Sequence, residues 1–379
     1  MSESPTTHPQ LLPTRAAPLV GPRVDVTNTP LDDMGFDARY APAGKLGEGG
    51  MGEVRLYRDA RIGRHVAMKL VLPEATGSPS MLARFLREAR VQGQLEHPAI
   101  VPVHDLGLTP AGNPYFTMKR VRGVTFADII GRLARFEALA ATTYTRRRLL
   151  TAFSQVCLAV DFAHAHGVLH RDLKPDNVML GDYGEVYVLD WGVARVEDTA
   201  EVTGAPSQQA EGRTAAGSVL GTPGYMAPEQ VRSERIDARA DVYALGVMLF
   251  ELLAHAPFHT GPDAVSIFKS TLAADTDARI AERAHALDFP PELEAICLKA
   301  TALVVENRYP SARSLNEALE RYLDGDRDLE RRRTLAAEAA KDAKRHAEAA
   351  MEATRESIRK TASDDRRRAM RALGRALAL

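Results

Sequence analysis

HRDLKPDNVMLGDYGEVYVLDWG, residues 170–192, is the stretch whose reading decides the fold. It holds two carboxylates, Asp172 and Asp190, an amide, Asn177, and a cation, Lys174, separated by the pattern of a short hairpin. Val178, Met179 and Leu180 form one expected strand and Val186 to Leu189 the other, with the turn at Gly181 to Gly184. Pairing them folds Asp190 back towards Asn177. Two hard oxygen donors brought together beside a second carboxylate suit magnesium, which takes one or two carboxylates plus substrate phosphates. A polar loop that merely caps the next element is the plainer alternative for any lone D-x-x-x-x-N match. Here Pro175 fixes the loop between the charged positions, and an apolar strand ends abruptly in Asp-Trp-Gly.

Working outward, the N-terminal side offers GEGGMGEV, with Gly47, Gly49 and Gly52 spaced G-x-G-x-x-G. Dinucleotide-binding folds share that spacing but open into a helix, whereas here Val54, Leu56 and Tyr57 continue as a strand. The glycines therefore sit at a hairpin tip, where backbone amides can close over phosphates. Lys69 follows on the return strand, His65 to Val71, in V-A-M-K; a solvated strand lysine is the alternative until a partner is found. The helix from Ser80, with Ser80 as its expected cap, places Leu82, Phe85, Leu86 and Ala89 on one stripe and Glu88 beside it, within reach of Lys69. Glu96 competes but sits at the helix end before His97-Pro98. His97 to Leu108 reads as an interrupted strand and Pro114 to Val121 as another. Helices are expected at Gly123 to Arg135 and Thr145 to His166, with His164 and His166 structural.

On the C-terminal side, Val196 to Val219 is a long Gly, Ala, Ser, Thr and Gln-rich loop ending in GTPGYMAPE, Gly221 to Glu229. A loop of that length inside a domain is functional or mobile. Ile236 to Ala254 is the most apolar helix, so Asp241 within it is a buried carboxylate needing donors, with the amides of the His170 loop as candidates. Shorter helices are expected near Ala264 to Leu272, Pro291 to Leu303 and Ser311 to Tyr322. Arg308 of ENRYP is placed to pair with Glu229. From Gly325 the composition turns to Ala, Arg, Glu and Lys, a long-helix signature reaching about 75 Å if continuous from Asp328. Its Ala-rich apolar positions favour a solvated linker over a zipper.

The totals exclude several classes. A chain of 379 residues with a net charge of −1 gives no electrostatic case for nucleic acid. No apolar run is long enough to span a bilayer, and no signal peptide opens the sequence. Cys157 and Cys297 are far apart and lack metal-ligand spacing, so both read as reduced thiols of a cytoplasmic protein. Residues 1–36, rich in Pro, Thr and Ser, read as a disordered leader.

Together these stretches resemble the eukaryotic-type protein kinases, in particular their bacterial Ser/Thr members, over about Tyr40 to Leu323. The resemblance implies an α+β, two-lobed protein kinase fold: a small N-lobe of antiparallel sheet plus one helix (37–121), a larger helical C-lobe (122–323) and a C-terminal helical extension (324–379). It implies transfer of the ATP γ-phosphate to protein Ser/Thr hydroxyls with Mg2+, Mn2+ being an alternative, and self-association for autophosphorylation in trans. By resemblance, Gly47, Gly49 and Gly52 cover the phosphates, Lys69 holds them and pairs with Glu88, and Val54, Ala67, Met118, Val121 and Met179 line the adenine pocket. Asp172 accepts the substrate proton, Lys174 neutralises the γ-phosphate, and Asn177 and Asp190 hold the metal. Arg171, Thr214, Ser218 and Thr222 form the regulatory set, Arg171 reading a phosphate on Thr214 or Ser218, with Thr203 and Ser207 as further candidates. The sequence departs from the family at Trp191, where Phe is usual, and in its basic hinge, Lys119-Arg120. A pseudokinase that only binds, and a small-molecule phosphotransferase on the same fold, are the competing readings.

Overall fold

The computed structural model describes residues 34–49, 52–72, 77–196, 221–273, 289–355 and 359–379. The N-terminal elements are α1 (Phe36–Arg39), β1 (Tyr40–Gly49), β2 (Gly52–Asp59), β3 (Arg64–Val71), α2 (Pro79–Gln94), β4 (Val103–Leu108) and β5 (Pro114–Lys119). The strands form one antiparallel sheet in the order β1-β2-β3-β5-β4. Phe36 belongs to α1 and not to the leader, packing edge-on against Tyr115 on the sheet, while Arg39 pairs with Asp59 and Asp105. Helix α2 starts two residues earlier than expected. Its cap is Ser78 and not Ser80, because Pro79 has no amide to satisfy and is preset for the first helical position. Phe85 and Ala89 of α2 then cover one side of the sheet with Val71 and Phe116.

The second lobe opens with β6 (Gly123–Thr125) and α3 (Phe126–Ala134), followed by α4 (Ala138–Thr143), α5 (Arg146–Ala165) and β7 (Val168–Leu169). A helix over the whole of Gly123 to Arg135 is therefore corrected: Gly123 to Thr125 pair with the next hairpin, and Thr125 caps α3. Gly123 has φ 146°, and a Cβ there would lie 2.1 Å from the Leu180 carbonyl oxygen, so the pairing requires glycine. The hairpin is β8 (Val178–Gly181) and β9 (Val186–Val188), and β10 (Arg195–Val196) pairs with β7. Then come α6 (Pro228–Val231), α7 (Ala238–Ala254), α8 (Ala264–Leu272), α9 (Pro291–Ala300), α10 (Ala312–Arg355) and α11 (Arg359–Leu377). Helix α7 is buried from Ala240 to Ala254, with α5 and α9 packed on it, and forms the centre of the large core. Gly246 is its contact point with α9: a Cβ there would lie 2.6 Å from that of Ala300.

The C-terminal expectation changes most. The last helix of the second lobe does not stop near Tyr322 but runs uninterrupted to Arg355, 44 residues or about 66 Å at 1.5 Å per residue. Helix α11 packs back along it, so the extension is a helical pair and not one solvated rod. Ala343 and Ala372 are buried in the seam; alanine is small enough to bring the two backbones close.

Candidate active site

A short helical turn, Pro175–Asn177, follows Lys174 and sets the lower floor of the site. Asp172 Oδ1 accepts hydrogen bonds from the Thr222 amide (2.9 Å) and hydroxyl (2.7 Å). Lys174 Nζ donates to Asp172 Oδ2 at 3.0 Å and to Thr222 Oγ1 at 2.8 Å. Asn177 Nδ2 donates to the Asp172 carbonyl (2.9 Å), and its own carbonyl accepts the Leu189 amide (2.8 Å), fastening the two ends of the hairpin together.

This floor rests on Asp241. Its buried carboxylate accepts the His170 and Arg171 amides, each at 2.8 Å, and its Oδ2 lies 2.8 Å from His164 Nε2. Burial opposes the charge on Asp241, but the His164 hydrogen bond, the neighbouring histidines and the Arg171 amide outweigh it and hold the carboxyl below its ordinary range. Arg171 (φ 66°) and Asp190 (φ 58°) both adopt left-handed backbone, a strained state for a residue with a Cβ that is held only where the surroundings fix it. Further out, Arg308 grips Glu229 through two bonds, 2.7 and 2.8 Å, with both residues buried, and donates to the Ala302 and Arg239 carbonyls.

The upper side is simpler. Lys69 on β3 lies opposite Val54 and Phe116, and its amine reaches Glu88 Oε1 at 2.5 Å and Asp190 Oδ1 at 3.8 Å. Glu96, the competing choice, is exposed at the end of α2. Burial pushes the Glu88 carboxyl above its ordinary value despite the pull of Lys69, and its second oxygen has no hydrogen-bond partner among the described residues. Asp190 goes the other way: burial raises it, but Lys69, His170, the Gly192 amide and Lys174 together hold it low. Trp191 next to it is fully buried, 4.6 Å from the His170 ring, with an indole N–H that finds no acceptor among the described residues.

The upper side and Asn177 of the floor open onto one cavity of about 410 Å³, which Lys69, Glu88, Asn177 and Asp190 line together with Gly47, Gly52, Val54, Ala67, Met118, Val121 and Met179, while Asp172, Lys174 and Thr222 stand outside its lining. That volume is ordinary for a small-molecule site. Leu46, Glu48, Gln92, Val101 and Leu189 also line it and were not singled out from sequence. Gln92 had a usable signal, one turn beyond Glu88 on the same face of α2; its amide donates to the Val101 carbonyl at 2.8 Å. Lys119, on the hinge wall, is tied by its ammonium to the Tyr187 hydroxyl and lies 4.6 Å over that ring. The glycines divide: a Cβ at Gly47 would meet nothing within 4 Å, whereas one at Gly52 would lie 2.5 Å from the Leu70 carbonyl oxygen. Gly52 is thus required by strand packing as much as by any ligand. Thr203, Ser207, Thr214 and Ser218 lie outside the described residues.

A lysine paired with two carboxylates at an apolar cleft, with a third carboxylate held by a hydroxyl and an ammonium, is a setting for phosphoryl transfer. The family described as the protein kinase domain matches residues 40–326. The chain belongs to the protein kinase family. Among its kinase relatives is the serine/threonine-protein kinase PknB of Mycolicibacterium smegmatis, 39% identical over 293 residues, covering 76% of this chain and 43% of that protein. Another is the serine/threonine-protein kinase PknD of Chlamydia trachomatis, 32% identical over 314 residues, covering 79% and 33%. The chain thus spans less than half the length of these relatives. The crystal structure of the Mycobacterium tuberculosis PknI kinase domain shares the two-lobed kinase fold, with a TM-score of 0.54, 26% identity, and 75% of this chain and 96% of that one covered. Kinases of this family generally use ATP and Mg2+. Among the described residues, no helix is long and apolar enough to cross a membrane.

Proposed function

We propose that this chain is a Ser/Thr protein kinase that transfers the γ-phosphoryl group of ATP to protein hydroxyls. The observation that carries the reading is the common cavity of Lys69 and Asp190, with the Asp172–Lys174–Thr222 cluster joined to its floor through Asn177. Apolar walls at Val54, Ala67, Met118, Val121 and Met179 take the flat adenine, and Lys69, fixed by Glu88, holds the phosphates. Asp190 and Asn177 are hard oxygen donors suited to Mg2+ or Mn2+, which when bound would offset charge building on the transferred group.

Asp172 takes the proton of the incoming Ser or Thr hydroxyl as its oxygen bonds to the γ-phosphorus, while the bond from that phosphorus to the β–γ bridging oxygen breaks and ADP leaves. Lys174 lies within hydrogen-bond reach of Asp172 and supplies positive charge beside the group in flight. Thr222 keeps both side chains in register, so its role is positioning. Phosphorylation of Thr214 or Ser218 in trans, read by Arg171, is the proposed activating step. Mass spectrometry should find a modified loop in the intact enzyme and an unmodified one in Asp172→Asn; an unmodified loop in both rejects that step. The free, buried thiols of Cys157 and Cys297 support a reducing, cytoplasmic setting.

The test is labelled ATP offered to a generic basic protein and, separately, to a panel of small alcohols and sugars. Label on Ser and Thr of the protein, lost in Asp172→Asn, is expected. Label on the small molecules alone would make the chain a small-molecule phosphotransferase, and nucleotide binding with no transfer would make it a pseudokinase.

A further inference from the structure

The C-terminal helical pair carries a surface that the proposed chemistry does not use. On α11, Ala372 is buried and Ala369 and Ala376 are half-buried, so this alanine stripe faces α10. Met370, Leu373 and Leu377, spaced i, i+3 and i+7, form a second stripe on another face, and they are 66%, 45% and 81% exposed. Residues 365–379 contain five arginines, Arg366, Arg367, Arg368, Arg371 and Arg375, against one acid, Asp365. The chain as a whole carries a net charge of −1, so this basic charge is concentrated at one end. Arg367, Arg371 and Arg375, spaced i, i+4 and i+8, form the basic side, while Arg366, one turn before Met370, caps the N-terminal end of the apolar row.

A short apolar stripe beside a dense arginine face, on a helix too polar to span a bilayer, is the signature of a helix that lies in a membrane interface. We infer that α11 docks the chain on an anionic lipid surface, with Met370, Leu373 and Leu377 entering the headgroup region and the arginines held at phosphate level. A second copy of this helix would bring two basic faces together, which charge opposes. A nucleic-acid backbone would satisfy the arginines but leave three large apolar side chains in water. A lipid surface satisfies both. The inference does not depend on the chain being an active kinase.

The experiment is co-sedimentation of the full 379-residue chain with vesicles of phosphatidylcholine alone and of phosphatidylcholine mixed with phosphatidylglycerol. Binding is expected only to the mixed vesicles and should weaken as salt is raised. Arg366→Glu combined with Arg371→Glu should lower binding by about 10-fold or more. Met370→Ser combined with Leu377→Ser should lower it at unchanged charge, which a purely electrostatic contact would not show. Helical content measured by circular dichroism should stay the same in both variants, separating lost docking from lost folding. Equal binding to both vesicle types, no binding to either, or binding insensitive to both variants overturns the inference. So does capture by a nucleic-acid homopolymer in preference to the mixed vesicles, or a stable dimer that both variants dissolve.

Discussion

The two sides of the cleft are held in different ways. Below, Asp172, Lys174 and Asn177 are fixed several times over, through Thr222, Asp241 and the Arg308–Glu229 pair. Above, Lys69 depends on one short contact to a carboxylate whose other oxygen has no partner among the described residues. A side fixed by redundant hydrogen bonds is preorganised, and reorganising it during the reaction would cost rate. A side held by one hydrogen-bonded ion pair, with Asp190 farther off at 3.8 Å, is where α2 can shift and carry the Glu88 carboxylate towards or away from Lys69. The lower side therefore sets the chemistry, and the upper side is the adjustable one.

The largest expected effect breaks the lower side chemically. Asp172→Asn removes the proposed proton acceptor and should lower turnover by at least about 10²-fold with nucleotide affinity little changed. Steady-state kinetics with a nucleotide-binding assay checks both parts, and near-normal turnover would reject the assignment.

Breaking the upper side should cost less and differently. Glu88→Gln leaves Lys69 present but poorly placed, so kcat/KM should fall by up to about 10²-fold while the unfolding midpoint hardly moves. The two sides should also part with pH. The folded Glu88 carboxyl is raised, so the folded state binds its proton more readily than the unfolded chain does. As pH falls into the window just above the ordinary glutamate value, Lys69 loses its charged partner and activity drops, while stability does not. Asp241 is held low, so its contribution is present above the ordinary aspartate value and is lost only as pH falls through the lower folded value. Activity should thus fail at a higher pH than the fold, and Glu88→Gln should remove that acid limb.

The outer anchor of the lower side is a matter of stability. Arg308→Ala strands the buried Glu229 carboxylate and should destabilise the fold by about 3–5 kcal/mol, measured by denaturant unfolding. A change below about 1 kcal/mol would mean that the pair is not buried in solution.

What could be read from the sequence follows the same division. Residues 170–192 were legible because a short hairpin brings Asn177 and Asp190 together through local contacts. Glu88 was legible because helical periodicity placed it beside a core stripe, and Asp241 because a carboxylate in so apolar a helix must find donors. Leu46 and Val101 were not, since their place on the cavity wall follows from how helix and sheet meet, whereas Gln92 could have been found from its position one turn beyond Glu88. The expected cap at Ser80 failed because the preference of Pro79 for the first helical turn was overlooked. The pairing of α10 with α11 was missed because its seam is alanine, which carries almost no signal in an already Ala-rich sequence.

The measurement closest to the central claim is the magnesium dependence of ATP-analogue affinity, read through Trp191, the sole tryptophan of the chain, which adjoins Asp190. Intact protein should bind the nucleotide more tightly with magnesium than without it. Asp190→Asn should abolish that difference, and Asp172→Asn should keep it. An Asp190→Asn variant whose affinity responds to magnesium as strongly as the intact protein would contradict a metal-bound nucleotide spanning Lys69 and Asp190.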